Sequence, residues 1–193
     1  NCKLIVVACN TATTNAIQEL RAKYTIPFIG IEPAIKPAAT NSKTQTIGIL
    51  ATKGTLNSEL FHKATEMYQD TKIIEQVGHG LVQLIERGQI DSPEMEQLLR
   101  SYLQPMIDAN VDYLVLGCSH YPYLIPQIKK ILPKNIQIID SGQAVARQTQ
   151  KILHEKVGLS NLNYPKPVFY SNTNTKVLFE ILKEKYSVEQ IDF

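Results

Sequence analysis

Short apolar runs alternate with amphipathic stretches along the whole chain. The apolar runs, bounded by turn residues, predict strands over 4–8, 26–31, 46–51, 71–76, 112–117, 136–140, 167–171 and 188–192. Leu56, Leu60, Ala64 and Met67 recur at helical spacing, as do Leu99, Leu103 and Met106 along the longest predicted helix. Ser92-Pro93 joins a capping hydroxyl to a proline at the first helical position, and Pro105 is expected to kink or end that helix. Strand–helix alternation of this kind implies an α/β fold, with parallel sheets carrying helices on both faces.

The segment from Pro33 to Gln45, rich in Pro, Thr and Lys, predicts a crossover with a short helix, and Asp140-Ser141-Gly142 is a turn suited to the return crossing. The expected architecture is therefore two Rossmann-like lobes. Residues 34–141 form one, residues 1–33 plus 142–193 form the other, and the site lies in the cleft between them. No tandem repeat or low-complexity tract suggests a solenoid.

Composition narrows the function classes. At 193 residues the chain can bury a proper core, and 44% hydrophobic with 20% charged residues is ordinary for a globular protein. A formal charge of +2 is too balanced for nucleic acid or an acidic membrane to be the main partner. No apolar run approaches the ~20 residues of a membrane helix. Cys2, Cys9 and Cys118 lack disulfide-framework spacing, which fits free thiols in a reducing cytoplasm. The chain starts at Asn1 and enters a strand almost at once, the mark of a processed start or of a piece of something longer.

Candidate chemistry centres on two thiols. Cys9 follows Leu4-Ile5-Val6-Val7-Ala8 and precedes Asn10-Thr11. Cys118 follows Tyr113-Leu114-Val115-Leu116-Gly117 and precedes Ser119-His120. Each is expected at the carboxyl end of a parallel strand, before a residue able to open a helix, where unpaired N–H groups favour thiolate. A buried cysteine acting as a small hydrophobe is the plainer reading of either one, but two in duplicated settings suggest acid and base groups facing one substrate from opposite sides. Cys2, at the other end of its strand, reads as packing. His120 could share a proton with Cys118 or sit at a solvent edge. A metal site at Cys118-x-His120 lacks a second Cys/His pair. Ala51-Thr52-Lys53-Gly54-Thr55 opens a helix and suits a carboxylate or phosphate, although simple capping needs only one of its threonines. It lacks P-loop spacing, and no dinucleotide fingerprint is present. Glu86, read by itself, is a solvated helix-face glutamate. His62, His79 and His154 have no distinctive setting, and His79, between two glycines, is the one among them to follow in the structure.

Ala8-Cys9-Asn10-Thr11-Ala12 and Leu116-Gly117-Cys118-Ser119-His120-Tyr121-Pro122 closely resemble the two cysteine signatures of glutamate racemase. Ile31-Glu32-Pro33-Ala34-Ile35-Lys36-Pro37-Ala38, Ile49-Leu50-Ala51-Thr52-Lys53-Gly54-Thr55 and Ile139-Asp140-Ser141-Gly142 resemble further segments of that family in the same order. The resemblance implies a cytoplasmic, cofactor-independent isomerase that interconverts L- and D-glutamate for peptidoglycan, needs no metal, and allows a homodimer. It implies that Cys9 and Cys118 exchange the α-proton. Asn10, Thr11, Ser119 and His120 would hold the substrate's charged ends, and Thr52 and Thr55 its carboxylate. His120 would assist Cys118, and Glu86 takes the place of a family glutamate near the site. Ser119 stands where threonine is more usual. The family also carries an Asp-Ser strand turn and a Pro-Tyr-Gly segment upstream of its first cysteine, and neither precedes Cys9 in this sequence. The 193-residue piece is accordingly expected to be inactive or nearly so, and the complete gene product active. Aspartate racemisation, or non-catalytic binding of a small anion between two lobes, are the alternatives.

Overall fold

The computed structural model describes residues 2–158 and 166–192. Its elements run β1 (Ile5–Val7), α1 (Asn10–Lys23), β2 (Phe28–Gly30), α2 (Ile35–Asn41), β3 (Thr46–Ala51), α3 (Lys53–Leu56), α4 (Glu59–Glu66), β4 (Lys72–Val77), α5 (Leu81–Glu86), α6 (Pro93–Asp108) and β5 (Tyr113–Gly117). A 3₁₀ turn at Tyr121–Leu124 leads into α7 (Ile125–Ile131) and β6 (Gln137–Ile139). The chain ends with α8 (Gly142–Ile152), β7 (Phe169–Ser171), α9 (Thr175–Ile181) and β8 (Val188–Gln190). Among the described residues all eight strands fall where the apolar runs place them, β4 reaching one residue further, to Val77.

The four-stranded sheet, ordered β4-β3-β5-β6 and parallel throughout, is the centre of the molecule. All six residues of β3 are buried, as a strand covered on both faces requires. Alternation then sorts its side chains. Ile47, Ile49 and Ala51 of β3 with Val115 of β5 meet Ile35 and Ala38 of α2, Leu56 of α3 and Phe61 of α4. Leu50, Leu114 and Leu116 face the other way, onto Leu84 and Ile85 of α5, Leu99, Leu103 and Met106 of α6, and Ile128 of α7. At Gly48 a Cβ would stand 2.6 Å from the Met106 sulfur, so the missing side chain lets α6 lie close to β3.

Two helix readings need correction. The stripe through Leu60 and Met67 is not the buried one. Ser58 accepts the Phe61 N–H at 3.3 Å and starts a new helix, which shifts the phase so that Phe61 is buried and Met67 is 76% exposed. α6 starts on Ser92 as expected, its hydroxyl accepting the Met95 N–H at 3.1 Å, but it runs past Pro105 to Asp108.

Residues 1–33 and 142–193, expected to share a lobe, supply two separate two-stranded parallel sheets, β1-β2 and β7-β8, with α8 packed on β2. Thr13 binds α1 to the first of these. Its hydroxyl donates to the Val7 carbonyl at 3.0 Å and accepts the Ile31 N–H at 3.1 Å. The Ser141 hydroxyl donates to the Glu32 carbonyl, joining the two crossovers between residues 1–33 and 34–141. Cys2, just before β1, is exposed rather than packed.

Candidate active site

Cys9 and Cys118 both sit past the carboxyl ends of parallel strands, β1 and β5, but their surroundings differ. Cys9 is exposed and is itself the cap of α1, its sulfur accepting the Ala12 N–H at 3.5 Å. Asn10, expected as the cap, is instead the first helical residue. Cys118 is buried and does not open an α-helix. It lies on a bend, Ser119 and His120 form a turn after it, and the 3₁₀ turn follows. Burial is the main influence on its thiol and pushes its pKa up. The backbone N–H groups of His120 and Tyr121 pull the other way, and the charge of Cys9 adds to the rise. Cys118 is therefore held as the thiol, contrary to the thiolate expected from a helix start, and Cys9 is near enough to act on it electrostatically.

His120 and Glu86 come together with Cys118. The Cys118 sulfur is 3.9 Å from His120 Nδ1, and His120 Nε2 is 2.6 Å from Glu86 Oε1. Glu86 is thus not merely a solvated helix-face residue, although its side chain is 54% exposed. The last residue of α5 reaches the turn after β5, a contact across 34 positions that periodicity cannot reveal.

Three threonines meet where α1 approaches the start of α3. The Thr11 hydroxyl shares hydrogen bonds with Thr52 at 2.7 Å and Thr55 at 3.1 Å, and those two pair at 3.1 Å. Thr52 also caps α3, so capping and clustering coexist. Asn15, which carried no signal in the sequence, donates to the Gly54 carbonyl at 3.1 Å and ties α1 to the same turn. A Cβ on Gly54 would come within 2.7 Å of the Thr11 methyl, so glycine permits this approach.

Asn10 is 2% exposed, yet its side-chain oxygen and nitrogen both lack a partner among the described residues. A buried amide left unpaired costs stability and is expected to have a ligand. Ser119 is half-buried in the turn beside Cys118. His79 contributes its carbonyl, not its exposed ring, accepting the Tyr102 hydroxyl at 2.8 Å. Among the described residues no three His, Cys, Asp or Glu side chains gather in a metal-binding group, and no helix is long and apolar enough to cross a membrane.

Known proteins are similar to this chain in sequence and in fold. The family model for Asp/Glu/Hydantoin racemase matches residues 1–149. The glutamate racemase of Ralstonia pickettii (strain 12J) is 50% identical over 153 residues, covering 79% of this chain and 54% of that protein. That of Pseudomonas entomophila (strain L48) is 41% identical over 182 residues, covering 93% of this chain and 69% of that protein. The chain thus spans between about half and two-thirds of these curated relatives' length. Among solved structures, glutamate racemase isoform RacE1 from Bacillus anthracis superimposes with a TM-score of 0.83 at 31% identity, covering 99% of this chain and 74% of that one. Escherichia coli glutamate racemase, solved with L-glutamate and the activator UDP-MurNAc-Ala, superimposes with a TM-score of 0.84 at 29% identity, over 98% and 74%. A sequence match through both cysteine turns and a fold match over nearly the whole chain agree, and the chain belongs to the Asp/Glu/Hydantoin racemase family.

Proposed function

We propose that the protein containing this chain is a cofactor-independent glutamate racemase that works by proton transfer between Cys9 and Cys118. The observation that carries the reading is the Cys118–His120–Glu86 relay, with Cys9 in electrostatic reach of the same sulfur. In one direction the Cys9 thiolate takes the α-proton, and the Cα–H electron pair spreads into the adjacent carboxylate. The Cys118 thiol then gives its proton to the opposite face of Cα, leaving Cys9 as the thiol and Cys118 as the thiolate. In the other direction the roles exchange, and His120, backed by Glu86, assists proton removal from Cys118.

The chemistry demands a thiol and a thiolate at rest, and the burial of Cys118 supplies the thiol. The Ala12 N–H at the start of α1 points at the Cys9 sulfur and would meet negative charge there. Asn10, Thr11, Ser119 and His120 would bind the substrate's charged ends, with Thr52 and Thr55 contributing hydroxyls to a carboxylate. We group residues 1–33 with 142–193 as one lobe and 34–141 as the other, so that closure excludes water from the carbanion-like state. The Escherichia coli relative was solved with L-glutamate and that of Francisella tularensis with D-glutamate, which supports glutamate as the substrate. The product would serve peptidoglycan assembly in the cytoplasm.

The test is exchange of the Cα hydrogen of L-glutamate in heavy water, catalysed by the complete gene product, with L-aspartate in parallel. Exchange with L-glutamate should fall about 10²–10⁴-fold or more in both Cys9→Ser and Cys118→Ser. Binding without exchange in the unmodified protein would identify an anion-binding protein instead, and preference for L-aspartate would correct the substrate.

A further inference from the structure

The loop entering α5 is Gly78-His79-Gly80, and two glycines in three residues leave a backbone with little conformational preference of its own. Gly80 adopts φ +80°. Two phenols remove the remaining freedom. The Tyr121 hydroxyl donates to the Gly78 carbonyl at 3.1 Å, and the Tyr102 hydroxyl, from α6, donates to the His79 carbonyl at 2.8 Å. A Cβ on Gly78 would collide with the Tyr121 hydroxyl, so that glycine is required for the phenol to reach the backbone. Tyr121 is 0% exposed and follows His120 directly in the chain. It therefore touches both halves of the His120–Glu86 pair, one through its backbone and the other through the loop that aims α5.

We propose that Tyr121, with Tyr102 beside it, is a positioning residue: by clamping the two carbonyls at the start of α5 it holds Glu86 against His120 and so tunes the Cys118 thiol. The role rests on the racemase reading for its purpose, though not for its test. Burial raises the pKa of both phenols, and the charge of Cys118 adds to this at Tyr121, so both remain protonated donors across the neutral range. The titratable groups facing Cys118 are Cys9 from the start of α1, His120 and Tyr121 from its own turn, and Glu86 from α5 through His120.

Alkylation of Cys118 by iodoacetamide across neutral to alkaline pH, followed peptide by peptide in the mass spectrometer, tests the role without requiring turnover. In the full chain, Glu86→Gln should slow Cys118 alkylation at neutral pH about threefold to tenfold by weakening the imidazole as proton acceptor. Tyr121→Phe, which keeps the buried ring, should slow it by a similar factor. The double variant should be no slower than the worse single one, because both act through the same pair. Multiplying effects, no effect of Tyr121→Phe, or no effect of Glu86→Gln would each overturn the proposal. If circular dichroism shows that Tyr121→Phe does not fold, Tyr102→Phe replaces it with the same outcomes deciding. Failure of the heavy-water exchange would remove the racemase reading and leave this result standing.

Discussion

Asn10 carries the sharpest conflict between stability and function at the level of a single residue. A buried amide with neither polar atom paired is held against a desolvation cost of about 1–3 kcal/mol. Asn10→Ala should therefore leave the thermal midpoint unchanged or raise it, while weakening substrate binding at least tenfold. A fall in midpoint with unaltered KM would show that the amide supports the fold instead. Cys118 and Tyr121 make a second, pH-dependent contribution. Both have pKa values raised above their ordinary 9.0 and 10.0, burial being the first cause in each. Below those values the groups are neutral in folded and unfolded chains alike, so their contribution is fully present. As pH rises through them the unfolded chain ionises first, and stability falls by up to about 1.4 kcal/mol per pH unit per group. Thermal melts of a Cys118→Ala, Tyr121→Phe double variant should show a shallower alkaline decline than the parent. An unchanged slope would place the titration elsewhere.

Helix ends and strand alternation, the features of single elements, were the most legible part of the sequence. Ser92-Pro93 names the start of α6 because a side-chain oxygen and a pre-set φ act locally. Ser92→Ala should cost about 1 kcal/mol, read as a lower midpoint in urea. A cost near zero would mean that burial of Met95 and Leu99 alone fixes that end. Where two local signals compete, the pattern misleads. Leu56, Leu60, Ala64 and Met67 share a helical face only if the helix is continuous, and the Ser58 cap interrupts it. Both thiols could be placed from their strands, but not their protonation, which depends on how deeply each lies. Cys118 shares the burial of β5 whereas Cys9 is exposed after β1, a difference that their similar apolar runs do not show. Periodicity alone reads Glu86 as a solvated helix face, because its partner His120 arrives from another element. Thr52 and Thr55 were visible as a turn, whereas their junction with Thr11 depends on packing of α1 against α3.

Burial is uneven over the whole molecule, and stability should follow it. Two apolar clusters sandwich the four-stranded sheet, with β3 and the last four residues of β5 fully enclosed. Neither α8 nor α9 contains a buried residue among those described. In the segment from 166 to 192, Val168, Tyr170, Phe179, Tyr186 and Ile191 are exposed, and the Phe169–Tyr186 ring contact at 5.1 Å is a small core for two three-residue strands. A two-stranded sheet with one helix cannot bury enough apolar surface to offset its ordering entropy. Local opening of β7, α9 and β8 should therefore require far less free energy than opening β3 or β5. Hydrogen exchange on the 193-residue chain should show these amides exchanging at least about a hundredfold faster than those of β3 and β5. Dilution separates this account from a covered face. Protection in 166–192 equal to that of β3 at high concentration, lost on dilution, would mean that a second copy covers the exposed tyrosines and Phe179. Equal protection at every concentration would overturn the inference from burial to local stability.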